Sequence, residues 1–326
     1  MPLRTHFHQF KSSKEKSLLT ALLEKDIIIT EGKAIPEPAN YQILVHASPT
    51  SDWLKASTEL KAVINPWAGV SEKTRDALKE FPNITLHNLH HNNFNTAELG
   101  FALLLSAAKF IIPMDRALRE NDWSPRYDEP QAILLRGKKA LILGYGEIGK
   151  ALAEYCLGFG MYVMATKNHI NETQENSHIL VYPSNQLNDL LPSAEILLIA
   201  LPLTDKTEDL ISHEEINQMP KGGIIVNIGR GPIVNQEALY KALKNGHLKA
   251  AASDVWYNYP KSKEERLNTP PADHPFGTLD NFVLSPHRGG LVEGVEQQRI
   301  HAIANLLNAA NRGEPIPDQV DIKEGY

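Results

Sequence analysis

Residues 140–149 of this 326-residue chain read ALILGYGEIG, an apolar strand-like run that leads straight into a complete GxGxxG. In such a turn Gly144 permits the tight reversal, Gly146 lets the backbone come close to a phosphate, and Gly149 lets the following helix pack on the strand. The helix opening at Glu147 and Ile148 presents N–H groups that have no intrahelical partner, which suits an anion. The context supports the motif. Residues 150–157 (KALAEYCL) read helical, Gly158 and Gly160 break the pattern, and residues 161–165 (MYVMA) read as the next buried strand, so a βαβ unit is complete. This is the expected cradle for a dinucleotide pyrophosphate, with NAD(P) as the cofactor class.

Length sets the scale of the rest. A chain of 326 residues suggests two domains, each with its own core. The net charge of −6 leaves no basic stripe to displace phosphate counterions, so no nucleic-acid partner is expected. No run approaches the apolar length of a membrane span, and the N-terminal MPLRTHFHQFKSSKEK lacks a signal peptide's apolar core, so a cytoplasmic protein with no membrane partner is expected. The single cysteine, Cys156, builds neither a disulfide framework nor a thiolate metal site. His90 and His91 are adjacent, so they point apart on either regular element. With no carboxylate at ligand spacing, no metal is expected.

The first hundred residues alternate strand-like and helix-like segments, clearest at 41–47 and 60–65 for strands and 72–81 for a helix. Residues 97–120 form a long apolar pattern interrupted by Pro113, which predicts a kinked helix or two helices crossing between domains. Strands then return at 140–143, 161–165, 179–182, 196–201, 223–227, 249–255 and 282–284, while 258–275 reads as an irregular loop and 295–310 as a last helix. The expected fold is α/β, with two Rossmann-like domains built on doubly wound parallel sheets. The substrate domain is discontinuous, residues 1–97 with 291–326, and residues 98–290 form the dinucleotide-binding domain.

Three short segments fall at the ends of successive predicted strands, where ligands bind in open α/β sheets. They are VNIGRG at 226–231, ASDVW at 252–256 and LSPHRGG at 284–290. Arg230, between two glycines, offers a planar fork of donors to a carboxylate. His287, after Pro286 and before a glycine pair, can give or take a proton near neutral pH.

In order, spacing and wording these segments resemble the D-isomer-specific 2-hydroxyacid dehydrogenase family over residues 135–290, with weaker echoes at Ala68-Gly69-Val70 and Val320-Asp321. The resemblance implies hydride transfer between a nicotinamide and the C2 of a small 2-oxo acid or D-2-hydroxy acid, a small-molecule carboxylate substrate. Arg230 would grip the carboxylate opposite the backbone N–H groups of Gly69 and Val70, and His287 would be the acid/base. Cofactor contacts would come from Thr96, the glycine turn, Thr166, Lys167, Asn168, Leu201, Pro202, Thr207, Ile228, Gly229, His287 and Gly289, with Asp254 accepting from the nicotinamide carboxamide. A homodimer through the nucleotide domain is likewise implied.

Two positions depart from the family pattern. A glutamate that keeps the histidine protonated usually stands five residues after the aspartate; here Tyr259 precedes Pro260. A neutral phenol orients the ring but supplies little of the carboxylate's effect on its pKa. The second strand of the nucleotide fold leads into Thr166-Lys167-Asn168-His169, with Lys167 where an acidic residue would meet the ribose 2′-hydroxyl. That charge favours NADP(H) over NAD(H). The Tyr259 departure leaves two rival readings open, a dehydrogenase of formate or another small anion and a nucleotide-sensing binding protein with weak turnover.

Overall fold

Continuous apolar runs without polar alternation form strands covered on both faces. The structure, a computed structural model describing residues 2–176 and 178–324, builds two such sheets. In chain order the elements begin β1 (Leu3–Phe7), α1 (Ser13–Leu22), β2 (Ile27–Glu31), β3 (Ile43–Val45), α2 (Ser51–Ala56), β4 (Ala62–Ile64), α3 (Glu72–Lys79) and β5 (Thr85–His87). They continue with α4 (Asn93–Lys109), α5 (Ile111–Arg119), β6 (Lys139–Leu143), α6 (Glu147–Gly158), β7 (Tyr162–Lys167), β8 (Gln174–Asn176) and β9 (Ile179–Pro183). The last are α7 (Leu187–Leu190), β10 (Ile196–Ile199), α8 (His213–Gln218), β11 (Gly223–Asn227), α9 (Gln236–Lys244), β12 (Leu248–Ser253), β13 (Phe282–Leu284) and α10 (Val295–Asn311).

Contacts divide the chain into Met1–Asn92 with Leu291–Tyr326, and Asn93–Gly290. The first boundary falls before α4 and not at 97/98, because that helix already starts at Asn93 and belongs whole to the second unit. In the first unit the sheet order is β2-β1-β3-β4-β5, all parallel. Phe7, Ile43, Val45 and Ile64 pack with Leu19 of α1 and Ile300, Ile303 and Leu307 of α10, while Leu44, Val63 and Leu86 pack the other face with Trp53, Leu54 and Leu78.

The second unit orders its strands β13-β12-β11-β10-β6-β7-β9-β8, parallel except for the β8–β9 hairpin. Side-chain alternation sorts β6 between two cores: Ala140 and Ile142 join one, Leu141 and Leu143 the other. The chain winds from β6 through β7 to β9 in one direction and from β10 through β13 in the other. Its topological switch therefore lies at the carboxyl ends of β6 and β10, where such sheets bind ligands.

The 97–120 pattern is two helices, and the break is not at Pro113. It sits at Phe110, whose φ of 54° is left-handed, and the two helix axes bend by 66° there. Pro113 falls in the first turn of α5, where its missing N–H removes no intrahelical bond. Among the described residues no single helix is long and apolar enough to cross a membrane.

Candidate active site

The glycine turn divides its labour as the sequence implied. Gly144 has φ +95°, and a Cβ there would meet the Ala200 carbonyl oxygen at 2.8 Å; a Cβ at Gly149 would fall 1.9 Å from the Gly144 carbonyl oxygen. At Gly146 a Cβ would meet nothing within 4 Å. Packing thus demands the first and third glycines, while the middle one faces open space that an anion can approach. Gly146 also caps α6 without any side-chain hydrogen bond to the first-turn N–H groups. These features fit a dinucleotide pyrophosphate.

The flanking residues sort by what their side chains touch. Glu147 and Ile148 open α6, and the Glu147 carboxylate accepts from Lys150 Nζ at 2.6 Å. Tyr145 N–H donates to the carbonyl of buried Thr166 at 2.9 Å, tying the turn to the end of β7. Lys167 ends that strand exposed to solvent, and Asn168 follows it. From the end of β10, the Leu201 carbonyl crowds Gly229, where a Cβ would sit 2.5 Å away. Thr207 Oγ1 donates to the Pro202 carbonyl at 2.7 Å and accepts from Thr204 N–H at 2.8 Å, so this hydroxyl closes its own loop. The Ile228 side chain is buried, in the space a Cβ at Gly100 of α4 would need.

The chemistry-bearing side chains converge at the ends of β11, β12 and β13. Asn227 shapes the first turn, its Oδ1 accepting from Gly229 N–H at 3.0 Å and its Nδ2 donating to the Arg230 carbonyl at 2.9 Å. Arg230 is exposed, and Nη1 donates to the Gly229 carbonyl at 2.6 Å. Asp254 is 2% exposed and clamps the histidine loop: Oδ1 accepts from Ser285 Oγ at 2.5 Å and Arg288 N–H at 2.8 Å, and Oδ2 from Gly289 N–H at 2.7 Å. Trp256 Nε1 adds a bond to the Ser285 carbonyl at 2.7 Å. Gly289 sits in a tight place, where a Cβ would come within 3.0 Å of Asp254 Oδ2 and 3.1 Å of Thr96 Cγ2.

Held this way, His287 adopts a left-handed φ of 56°, and its Nδ1 lies 2.9 Å from Tyr259 Oη. The phenol oxygen also accepts from Trp256 N–H at 3.1 Å. That amide can only donate, and the phenolic proton has no acceptor other than Nδ1 among the described residues. The satisfied arrangement of the neutral ring is therefore Tyr259 O–H donating to Nδ1, with the ring proton on Nε2. Burial lowers the His287 pKa, the Arg230 charge lowers it further, and the Asp254 charge opposes both. Burial raises the Tyr259 pKa, so the phenol is neutral at pH 7.

Trp256, Ser285 and Asn227 were not singled out from the sequence, although an Asn two residues before a Gly at a strand end is a readable turn signal. Gly69 and Val70 lie in the first unit, in the loop between β4 and α3. Gly69 is exposed, and Val70 packs partly against that unit's second core.

Residues 101–289 match the family model described as D-isomer specific 2-hydroxyacid dehydrogenase, NAD binding domain. A glyoxylate reductase of Aeropyrum pernix is 37% identical over 231 residues, 69% of this chain and 66% of that protein. The D-3-phosphoglycerate dehydrogenase of Methanocaldococcus jannaschii is 31% identical over 266 residues, 81% of this chain and 48% of that protein. The match thus spans about half of the one relative's length and just under two thirds of the other's. A D-isomer specific 2-hydroxyacid dehydrogenase from Xanthobacter autotrophicus Py2, solved with NADPH and MES, shares the fold at a TM-score of 0.81 and 24% identity, with 100% of both chains covered. On the matched domain and these relatives, the chain belongs to the D-isomer-specific 2-hydroxyacid dehydrogenase family.

Proposed function

We propose that this chain reduces a small 2-oxo acid to a D-2-hydroxy acid, or runs the reverse reaction, with NAD(P) as cofactor. The observation that carries the reading is the grouping of His287, Tyr259 and Asp254 with Arg230 on loops at the carboxyl ends of adjacent strands, in the same unit as the glycine turn. When bound, the dinucleotide supplies or accepts the hydride. Arg230 holds the substrate carboxylate with the donors left over from its bond to Gly229, and the family resemblance makes the Gly69 and Val70 amides carboxylate donors as well. His287 carries a proton at Nε2 toward the substrate oxygen in reduction and removes it in oxidation. Tyr259 fixes the ring through Nδ1, and Asp254 holds the loop on which the ring stands.

Lys167 and its amide neighbour Asn168 favour a ribose 2′-phosphate, so NADP(H) is the proposed preference. A second copy of the chain is the proposed partner, through the nucleotide unit. Ile111, Ile112 and Leu118 of α5 are about half exposed there, and light scattering reads the mass. The phenol of Tyr259 against His287, where the family usually has a carboxylate, also favours a second reading, oxidation of formate or a like anion, in which no proton need move to or from a carbonyl oxygen.

The test is a screen of NADH and NADPH oxidation against glyoxylate, hydroxypyruvate, pyruvate and bulkier 2-oxo acids, with formate and NAD(P)+ in parallel. Turnover of a 2-oxo acid supports the proposal. Turnover of formate alone replaces it with the second reading, and dinucleotide binding without turnover of any substrate leaves a binding protein.

A further inference from the structure

Three consecutive carbonyls in the loop between β4 and α3 are tied to residues just beyond the ends of two adjacent strands. The Trp67 carbonyl accepts from Leu89 N–H at 3.3 Å, the Ala68 carbonyl from Asn88 Nδ2 at 2.7 Å, and the Gly69 carbonyl from Asn65 Nδ2 at 2.8 Å. Asn65 follows β4 directly, and Asn88 and Leu89 follow β5. In a planar trans peptide the N–H points opposite to the C=O of the same unit. The N–H groups of Ala68, Gly69 and Val70 therefore all point away from these anchors, and none donates to another described residue. Successive N–H groups turned to one side make an anion-binding concavity.

We propose that Asn65 and Asn88 are positioning residues that set this concavity for the substrate carboxylate; the inference rests on the reading of Gly69 and Val70 as carboxylate donors. Fold stability does not account for Asn65. It is 1% exposed, and its Oδ1 is buried with no hydrogen-bond partner among the described residues. A buried amide with an orphaned oxygen is a worse core residue than an apolar side chain of the same shape. The loop is fixed from its outer side as well. Lys11 Nζ and Arg299 Cζ lie 4.7 and 4.9 Å from the Trp67 ring centroid, and Arg299 pairs with Glu15 at 2.9 Å and Glu296 at 2.7 Å. A loop anchored at three successive carbonyls and one ring holds its amides ready before an anion arrives.

The experiment uses Asn65→Leu, which keeps the branching and heavy-atom count and removes the donor, with Asn88→Leu as the second variant and Val70→Pro to delete one amide outright. Oxalate is the probe, titrated into the 326-residue protein with NADH or NADPH, beside KM and kcat for the best 2-oxo acid. Each Asn variant should raise the oxalate Kd and the substrate KM by roughly three- to ten-fold, the scale of one misplaced hydrogen bond. Dinucleotide Kd should stay within two-fold, kcat should change little, and the Tm of Asn65→Leu should not fall.

If Val70→Pro weakens oxalate while both Asn variants bind it like the wild type, the positioning role is overturned and the carboxylate reading stands. If Val70→Pro folds and binds oxalate normally, or if the wild type does not bind it, the carboxylate reading fails and the positioning role with it. Asn variants that lose Tm and dinucleotide affinity together with oxalate would show a merely structural role.

Discussion

Replacing Tyr259 by glutamate tests the proposed proton chemistry most directly, because its oxygen already stands 2.9 Å from His287 Nδ1. In the native protein the partner is a neutral phenol, and burial together with the Arg230 charge holds the His287 pKa below its ordinary value. A carboxylate at the same place adds an attraction to the imidazolium. Two unit charges about 4 Å apart are worth roughly 1 kcal/mol at the dielectric of water and about 4 kcal/mol at an effective value near 20. With about 1.4 kcal/mol per pH unit, the span is about one to three units. Tyr259 is 44% exposed, so solvent screens the pair and the lower part applies, about one to two units.

The direction follows from which form reacts. Reduction needs the imidazolium, so kcat/KM is full at low pH and falls as pH rises through the His287 pKa. Tyr259→Glu raises that pKa, and the fall should move up by about one to two pH units, leaving the variant roughly ten-fold or more faster on the alkaline side. In the oxidative direction, which needs the neutral ring, the rise with pH should move up equally. The assay is kcat/KM for 2-oxo acid reduction between about pH 4.5 and 9, in the native protein, Tyr259→Glu and Tyr259→Phe. Coincident native and Glu profiles would refute the reasoning, since a carboxylate against Nδ1 has to move the titration of whichever ring transfers the proton.

Arg230→Ala should lower kcat/KM by about 10²-fold, through loss of a charge-assisted carboxylate contact, while the dinucleotide Kd from fluorescence titration stays near the native value. An unchanged kcat/KM would remove Arg230 from substrate binding. Lys167→Asp should lower the ratio of NADPH to NADH affinity by about ten-fold or more, because an attraction to the 2′-phosphate becomes a repulsion. Equal ratios in the two proteins would place Lys167 away from the ribose.

The nucleotide unit was legible because its signals are local and redundant. The apolar run before Gly144 became the central strand, and the steric demands at Gly144 and Gly149 are those that the motif spacing implies. Tyr259 beside His287 followed from the family resemblance alone, which places that partner five residues after the aspartate. Less of the first unit could be read. The strands expected at 41–47 and 60–65 are β3 and β4, but β5 is three residues long, too short for periodicity to register. The helix break is carried by the backbone of Phe110 rather than by the proline that punctuates the sequence. Hidden most completely were the side chains that bond to carbonyls distant in the chain. Asn88 reaches across 20 residues to Ala68 and Trp256 across 29 to Ser285, and no local pattern encodes such pairs.

Asp254 shows how one residue's expected role and its observed contacts separate. The family resemblance assigns it to the nicotinamide carboxamide, yet three hydrogen bonds already bind its carboxylate to the loop bearing His287. Arg288 N–H and Gly289 N–H can only donate, and they reach different oxygens. In Asp254→Asn one of them must face an NH2 group whichever way the amide turns, leaving a buried donor without an acceptor at a cost of about 1.5–3 kcal/mol. For a unit of this size that lowers Tm by roughly 4–8 °C. It also frees the turn that imposes the left-handed backbone on His287. Because the Asp254 charge supports protonation of His287, the variant's reductive profile should fall at a lower pH than the native one. The clamp therefore predicts a kcat at least about ten-fold lower, a downward-shifted pH profile and a nearly native dinucleotide Kd. Should Asp254→Asn instead keep its kcat, Tm and pH profile and lose only dinucleotide affinity, the carboxylate serves the cofactor and the histidine loop stands without it.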